Sequence, residues 1–281
     1  MTSLATIPLV GIFSVAVIAT WVAGTSLARN TDVLDRRFGL GEALGGMVLL
    51  AIAGSLPELA ITVSAAAKGN LDLAAGNLIG GIAVQTMVLV ICDAVVEGER
   101  PLTYLVGSLV PVLEGALVIL VAVGVLLGAL LPRSIALGPV SPASLAIVVL
   151  WLGGILVLNR VRKAPLGATV LAVATALPEI SSGVSAVRIG DHQLAMGDIF
   201  GGNAFQLCIF LLADLIAGRA VLPAAGDLNS WLAALGIALT AVFAAGVIAR
   251  PSRRILRLGA DSWVALVVFG LGIAGLLALP Q

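Results

Sequence analysis

The sequence is short of charge, histidine, cysteine and aromatic residues, and each shortage removes a class of protein. Only 11% of its 281 residues are Asp, Glu, Lys or Arg, against roughly 25% in a soluble domain. With 60% of residues hydrophobic and a mean hydropathy of +1.17, a water-soluble domain is excluded. The formal net charge is zero, so there is no overall basic character to attract nucleic acid. The cysteines, Cys92 and Cys208, lie in apolar runs and form no CxxC or Cys/His cluster, which leaves no disulfide framework and no zinc site. HExxH and GxSxG are absent, which argues against a membrane-embedded enzyme. The apolar runs do not alternate as barrel strands do. No Lys or Arg precedes the first run, Thr6 to Ala28, so it reads as a retained span and not a cleaved signal. What remains is an all-α polytopic protein of the plasma membrane, or of the inner membrane if bacterial, with the bilayer as its partner.

What is present is a series of runs near the 20 apolar residues that a helical span needs. They fall at 5–28, 41–67, 71–96, 102–131, 142–160, 165–188, 192–217, 230–249 and 261–279. Two of them carry the same unusual text, "AGSLPELAITVSA" and "ATALPEISSGVSA". An offset of 121 (Glu179 minus Glu58) aligns Leu56-Pro57-Glu58 with Leu177-Pro178-Glu179, without a gap. It also aligns Gly76, Gly80 and Gly81 with Gly197, Gly201 and Gly202, Gln85 with Gln206, and Asp93 with Asp214. Generic apolar composition does not match Pro-Glu, glycines, a Gln and an Asp in register. The chain therefore divides into an N-terminal half, 1–131, with its motif at 46–93, and a C-terminal half, 132–281, with its motif at 167–214. Together they form one membrane domain. Transporters are often built from such repeats, with the site at the repeat interface.

Inverted copies need an odd number of crossings between equivalent helices, and the spans above give four. We therefore expect 102–131, which is long and holds Pro111, Glu114 and Gly115, to turn near "VPVLEG" and cross twice. Inversion then puts Arg29, Arg36, Arg37, Arg100, Arg133, Arg188, Arg250, Arg253, Arg254 and Arg257 on one face. Lys68, Arg160, Arg162, Lys163 and Arg219 fall on the other. That bias exceeds the near-even split of a parallel arrangement and favours inversion, with the N-terminus outside. About nine or ten helices result, in two inverted repeats with proline-broken central helices.

An ionisable residue within a span costs on the order of 3 kcal/mol and is by default a functional-site hypothesis. Glu58 and Glu179 each follow a proline that removes a backbone N–H and disrupts the preceding turn. The carbonyls around Gly54 and Ala174, the hydroxyls of Ser55 and Thr175, and the two carboxylates then form a set of hard oxygen donors. Such donors suit calcium, and two carboxylates neutralise one divalent cation. The competing reading is a kink whose glutamate is paired, but no basic residue lies within the spans to pair with it. The stretches "GNLIGGIAVQ" and "GDIFGGNAFQ" follow. Their glycines permit close helix packing. Packing does not explain Asn77, Asp198, Asn203, Gln85 and Gln206, which either bridge helices or face a site.

On these residues the halves resemble the alpha repeats of the calcium/cation antiporter superfamily, which includes the sodium/calcium exchangers. The family pattern is G-T-S-L-P-E followed by G-N-x-x-G-S-N-x-x-N/D. The resemblance implies a bundle of about ten helices that exchanges calcium or a related divalent cation for sodium or protons by alternating access. It implies that Glu58 and Glu179 bind the cation with help from Ser55, Thr175 and nearby carbonyls, and no cofactor. The sequence departs from the pattern at Gly54, Ala176, Gly81, Gly202, Gln85 and Gln206. These positions carry the hydroxyls and Asn/Asp that help form sodium sites in sodium-coupled members. Glutamine there is more similar to proton-coupled relatives, and two protons could replace one calcium without changing the site's charge. The alternatives are a degenerate, non-transporting homologue, a channel, and the membrane-embedded enzyme already disfavoured. Elsewhere, Glu114 is expected to be interfacial, Asp93 and Asp214 to anchor helix ends, His192 to be a solvated loop residue, and the cysteines to pack.

Overall fold

The computed structural model describes residues 55–132, 134–161, 183–184, 186–188 and 190–278, together with Gly11 and Val15. The helices are α1 (Leu56–Ala67), α2 (Leu71–Val95), the short α3 (Leu102–Leu105), α4 (Val110–Ala129), α5 (Pro142–Val161), α6 (His192–Ala217), α7 (Asp227–Ala249) and α8 (Ala260–Ala278). A two-stranded hairpin, β1 (Arg254–Ile255) and β2 (Leu258–Gly259), joins α7 to α8. Among the described residues five helices, among them α2, α4, α7 and α8, are long and apolar enough to cross a membrane, and α5 contributes a shorter apolar stretch. The protein is thus an all-α polytopic membrane protein.

The repeat is visible in the backbone. The chain turns at Gly69 and Gly190, both with positive φ (72° and 83°), a conformation glycine adopts without steric cost. Asn70 N–H donates to Ala65 O at 2.9 Å, and Asp191 N–H donates to Ala186 O at 2.9 Å. Gly69 and Gly190 donate to Ala66 O and Val187 O, each at 3.0 Å. Every pair is related by the offset of 121.

Helix directions follow from named contacts. Gln206 of α6 donates to Leu78 O of α2 at 2.7 Å, and Asn203 donates to Thr86 at 3.1 Å. As one position rises the other falls, so α2 and α6 are antiparallel and the copies are inverted. Helix α7 runs parallel to α2, with Asn229 beside Gly76 and Gly236 beside Ile82. Helix α5 runs antiparallel to α4, with Ile147 against Gly124 and Leu117 against Gly154. Helices α2, α4, α6 and α7 enclose a core that includes Phe200, Phe210, Phe243, Leu78 and Ile82.

The route to inversion differs from the sequence expectation. The stretch 102–131 does break, at residues 106–109 where Gly107 has φ 65°, but only α3 precedes the break. Helix α4 then crosses once, its 20 residues spanning about 30 Å. Glu114, near its start, lies against Gly197 near the start of α6. The end of α5 and the beginning of α6 therefore share one end of the bundle. The face assignment changes accordingly. Arg160, at the end of α5, sits at the end that holds Asp93 and Arg100. Pro132 and Ser134 sit at the opposite end, with Lys68 and Arg219. Arg133 itself, and Arg29, Arg36, Arg37, Arg162 and Lys163, lie outside the described residues.

Candidate functional site

Glu58 lies in the first turn of α1, which Pro57 opens. Ser55 is its non-helical N-cap, φ −84° and ψ 11°. Proline is tolerated in a first turn because its missing N–H has no intrahelical acceptor there. Ser55 is buried. Glu58 thus sits at a helix start, where the backbone dipole favours negative charge.

Two amides of α2 hold this turn. Gln85 Nε2 donates to Glu58 Oε1 at 3.3 Å. Asn77 Nδ2 donates at 3.0 Å to both the Glu58 backbone carbonyl and Thr62 Oγ1. Where α2 meets α6, Asn203 Nδ2 donates to Thr86 Oγ1, and Thr86 Oγ1 donates to Ile82 O at 2.7 Å. Gln206 crosses to Leu78 O and lies against Gly81, where a Cβ would collide with its amide. A side chain at position 81 would push that amide away from Leu78 O.

All the amide nitrogens named above have acceptors. The oxygens do not: Glu58 Oε2, Gln85 Oε1, Asn203 Oδ1 and Gln206 Oε1 are buried with no hydrogen-bond partner among the described residues. Leaving such a group unmatched costs about 1–3 kcal/mol. The cluster is therefore a set of acceptors in want of positive charge, which is the chemistry a hard cation supplies.

The expected residues divide three ways. Glu58, Gln85, Asn77, Asn203 and Gln206 come together along the α1–α2–α6 contact, with Ser55 capping α1. Asp198 lies farther along α6, near Cys92. Glu179, Thr175, Gly54 and Ala174 lie outside the described residues. Among the described residues no group of three or more His, Cys, Asp or Glu is placed to hold a metal. Thr62 and Thr86 belong to the cluster and were not singled out from sequence, although Thr62 stands four residues after Glu58, on the same helix face.

Two expectations are corrected. Glu114 is 3% exposed, not interfacial, because α4 begins at Val110 and carries it inside the bundle, where Gly197 leaves room for it. His192 is the first residue of α6 and half-buried. Burial lowers its pKa, partly opposed by the neighbouring Asp191.

Asp93 and Asp214 anchor helix ends as expected, in matching ways. Asp93 accepts Leu102 N–H at 2.7 Å, Gly259 N–H at 2.7 Å and the Ser262 hydroxyl at 2.6 Å. Asp214 accepts Val221 N–H at 2.7 Å and Ser141 N–H at 2.8 Å. Ser144 stands near Asp214 without completing a hydrogen bond. Each carboxylate binds the chain that follows its own helix and the start of a distant one, α8 for Asp93 and α5 for Asp214.

The chain matches the family described as sodium/calcium exchanger protein in two overlapping stretches, residues 8–158 and 134–279. It is 25% identical to the inner membrane protein YrbG of Escherichia coli (strain K12), over 64% of this chain and 71% of that one. It is 26% identical to a protein of Alkalimonas amylolytica named "Putative antiporter CaxA", over 72% of this chain and 76% of that one. No solved structure matches. With inverted copies, five apolar spans and a match over both halves, the chain belongs to the sodium/calcium exchanger protein family, whose members are membrane transporters and not enzymes.

Proposed function

We propose that this protein is a secondary antiporter that carries calcium, or a related divalent cation, in exchange for protons or sodium. Its site would be centred on Glu58 and Glu179. The observation that carries this reading is the group of buried, unpartnered oxygens on Glu58, Gln85, Asn203 and Gln206. A divalent cation satisfies acceptors of this kind, and two glutamates would balance its charge. Ser55 and the carbonyls of Gly54 and Ala174, with Thr175, would complete an oxygen shell on the two sides of the repeat. Asn77 would hold the Glu58 turn in place through its backbone carbonyl, and Asp198 would occupy the matching position on α6.

Protons are the favoured counter-ion. The positions where sodium-coupled relatives carry hydroxyls and Asn/Asp here hold Gly81, Gly202, Gln85 and Gln206. Two carboxylates can exchange one divalent cation for two protons with no change in site charge. Alternating access then needs other helices to move past this centre.

The test is calcium-45 uptake into proteoliposomes under an imposed proton or sodium gradient, for wild type, Glu58→Gln and Glu179→Gln. Uptake driven by one gradient and lost in both variants supports the reading and identifies the counter-ion. Uptake without any counter-ion gradient indicates a channel. No uptake of calcium or other divalent cations under either gradient supports a non-transporting homologue.

A further inference from the structure

The end of the bundle where α2 and α7 finish is lined with arginine. A cleft of about 630 Å³ lies there, bordered by Arg100, Arg253, Arg254, Arg257 and a single carboxylate, Glu99. The arginines have different tasks. Arg254 is structural: its guanidinium donates to Val96 O at 2.9 Å, to Gly98 O at 3.0 Å, and to the carbonyls of Asp93 and Arg257. It ties the β1–β2 hairpin to the end of α2. Arg100 makes one hydrogen bond, to Ser252 O at 3.1 Å, and stacks 4.7 Å from the centre of the Tyr104 ring. Arg250 covers the same ring at 5.1 Å. The guanidinium groups of Arg253 and Arg257 make no hydrogen bond or ion pair with any described residue.

The hairpin beside this cleft is unusual for a surface turn. Its tip, Ile255 and Leu256, is 62% and 81% exposed. Leu256 and Arg257 have φ of 51° and 70°, a left-handed conformation that side chains rarely adopt. Trp263, the kind of residue that gathers at membrane interfaces, donates its indole N–H to Ile255 O at 2.9 Å. An apolar tip next to unpaired guanidinium groups, level with the ends of the spans, fits the headgroup layer better than open water. Arg160 and Arg188 belong to the same end, while Lys68 and Arg219 lie at the other. By the positive-inside bias the arginine end is cytoplasmic, where anionic lipids concentrate.

We propose that this cleft binds the phosphate of an anionic phospholipid headgroup through Arg100, Arg253 and Arg257, with Ile255 and Leu256 seated in the bilayer beside it. Guanidinium groups match phosphate oxygens through paired, charge-assisted hydrogen bonds. The inference stands apart from the transport reading, since its test measures lipid retention and not flux.

The full chain is extracted in mild detergent, incubated with phosphatidylglycerol and phosphatidylcholine, and examined by native mass spectrometry. Wild type is expected to retain phosphatidylglycerol in preference to phosphatidylcholine. The triple variant Arg100→Gln/Arg253→Gln/Arg257→Gln should weaken that retention on the order of a hundredfold. Arg253→Gln alone should weaken it about fivefold, and its side chain holds nothing that the fold needs. Replacing Arg253 and Arg257 by lysine should preserve most of the preference. Ile255→Ser/Leu256→Ser should reduce it with every arginine intact. Excess inorganic phosphate should leave the bound lipid in place. Equal retention of the two lipids, or an Arg253→Gln protein that matches wild type, overturns the proposal. Complete displacement of lipid by inorganic phosphate also overturns it, and would make the cleft a soluble-anion site.

Discussion

The two copies of the repeat agree at their edges and differ at their centre. Gly69 and Gly190 turn the chain with matching hydrogen bonds, and Asp93 and Asp214 each cap a following segment and a distant helix. Between these fixed points the glutamines diverge. Gln85 donates to the Glu58 carboxylate, whereas Gln206 crosses to the backbone of α2 at Leu78. Edges set where the helices go, so symmetry holds there. An alternating-access transporter is not required to be symmetric at its centre in any one state, since its halves exchange roles as it moves.

The comparison can be broken most forcefully at Glu58. Glu58→Gln should lower divalent uptake on the order of a hundredfold or more, because it leaves a bound cation short of one buried charge. Uptake in proteoliposomes near the wild-type rate would remove Glu58 from the site. Next come the anchors. Asp93→Ala leaves three donors without an acceptor and should cost about 3 kcal/mol, and Asp214→Ala, with two, should cost about 2 kcal/mol. Denaturant unfolding in micelles reads both values, and the reverse order would contradict the hydrogen bonds described above. Gly81→Ala displaces Gln206 and should cost about 1–3 kcal/mol together with much of the transport. Gly201 has open space around it, and Gly201→Ala should stay within about 0.5 kcal/mol of wild type in the same assay. The smallest contrast lies in the serines. Ser262→Ala should cost about 0.6–1 kcal/mol, and Ser144→Ala about zero, because only Ser262 completes its bond to the anchor.

Much of this could be read from the residues. Composition alone establishes the membrane class, and the offset of 121 identifies the repeat that the turns at Gly69 and Gly190 display. Asp93 and Asp214 stood out as helix anchors because a carboxylate at a span's end has backbone N–H groups within reach. Their distant partners were hidden, since nothing in the local sequence links Asp93 to Ser262 across more than a hundred residues. Glu114 was misplaced for a related reason. Its exposure depends on where α4 begins, and the break at Gly107 moves that start eight residues past the expected span boundary, from 102 to Val110. The expectation that 102–131 crosses twice failed because length and hydropathy do not show that the stretch before the glycine break folds only as the short α3. The roles of Gly81 and Gly197 were legible only as close packing. That each makes room for a polar side chain from another helix is a fact of tertiary contact.

The Asp93 anchor bears on how the chain is made. Two of its three donors, Gly259 and Ser262, are among the last residues of the described chain to leave the ribosome. Until they arrive, a carboxylate meant for the bundle interior lacks most of its partners. The hydrogen bonding of the Asp93 end of α2 is therefore completed only once residue 262 has been made.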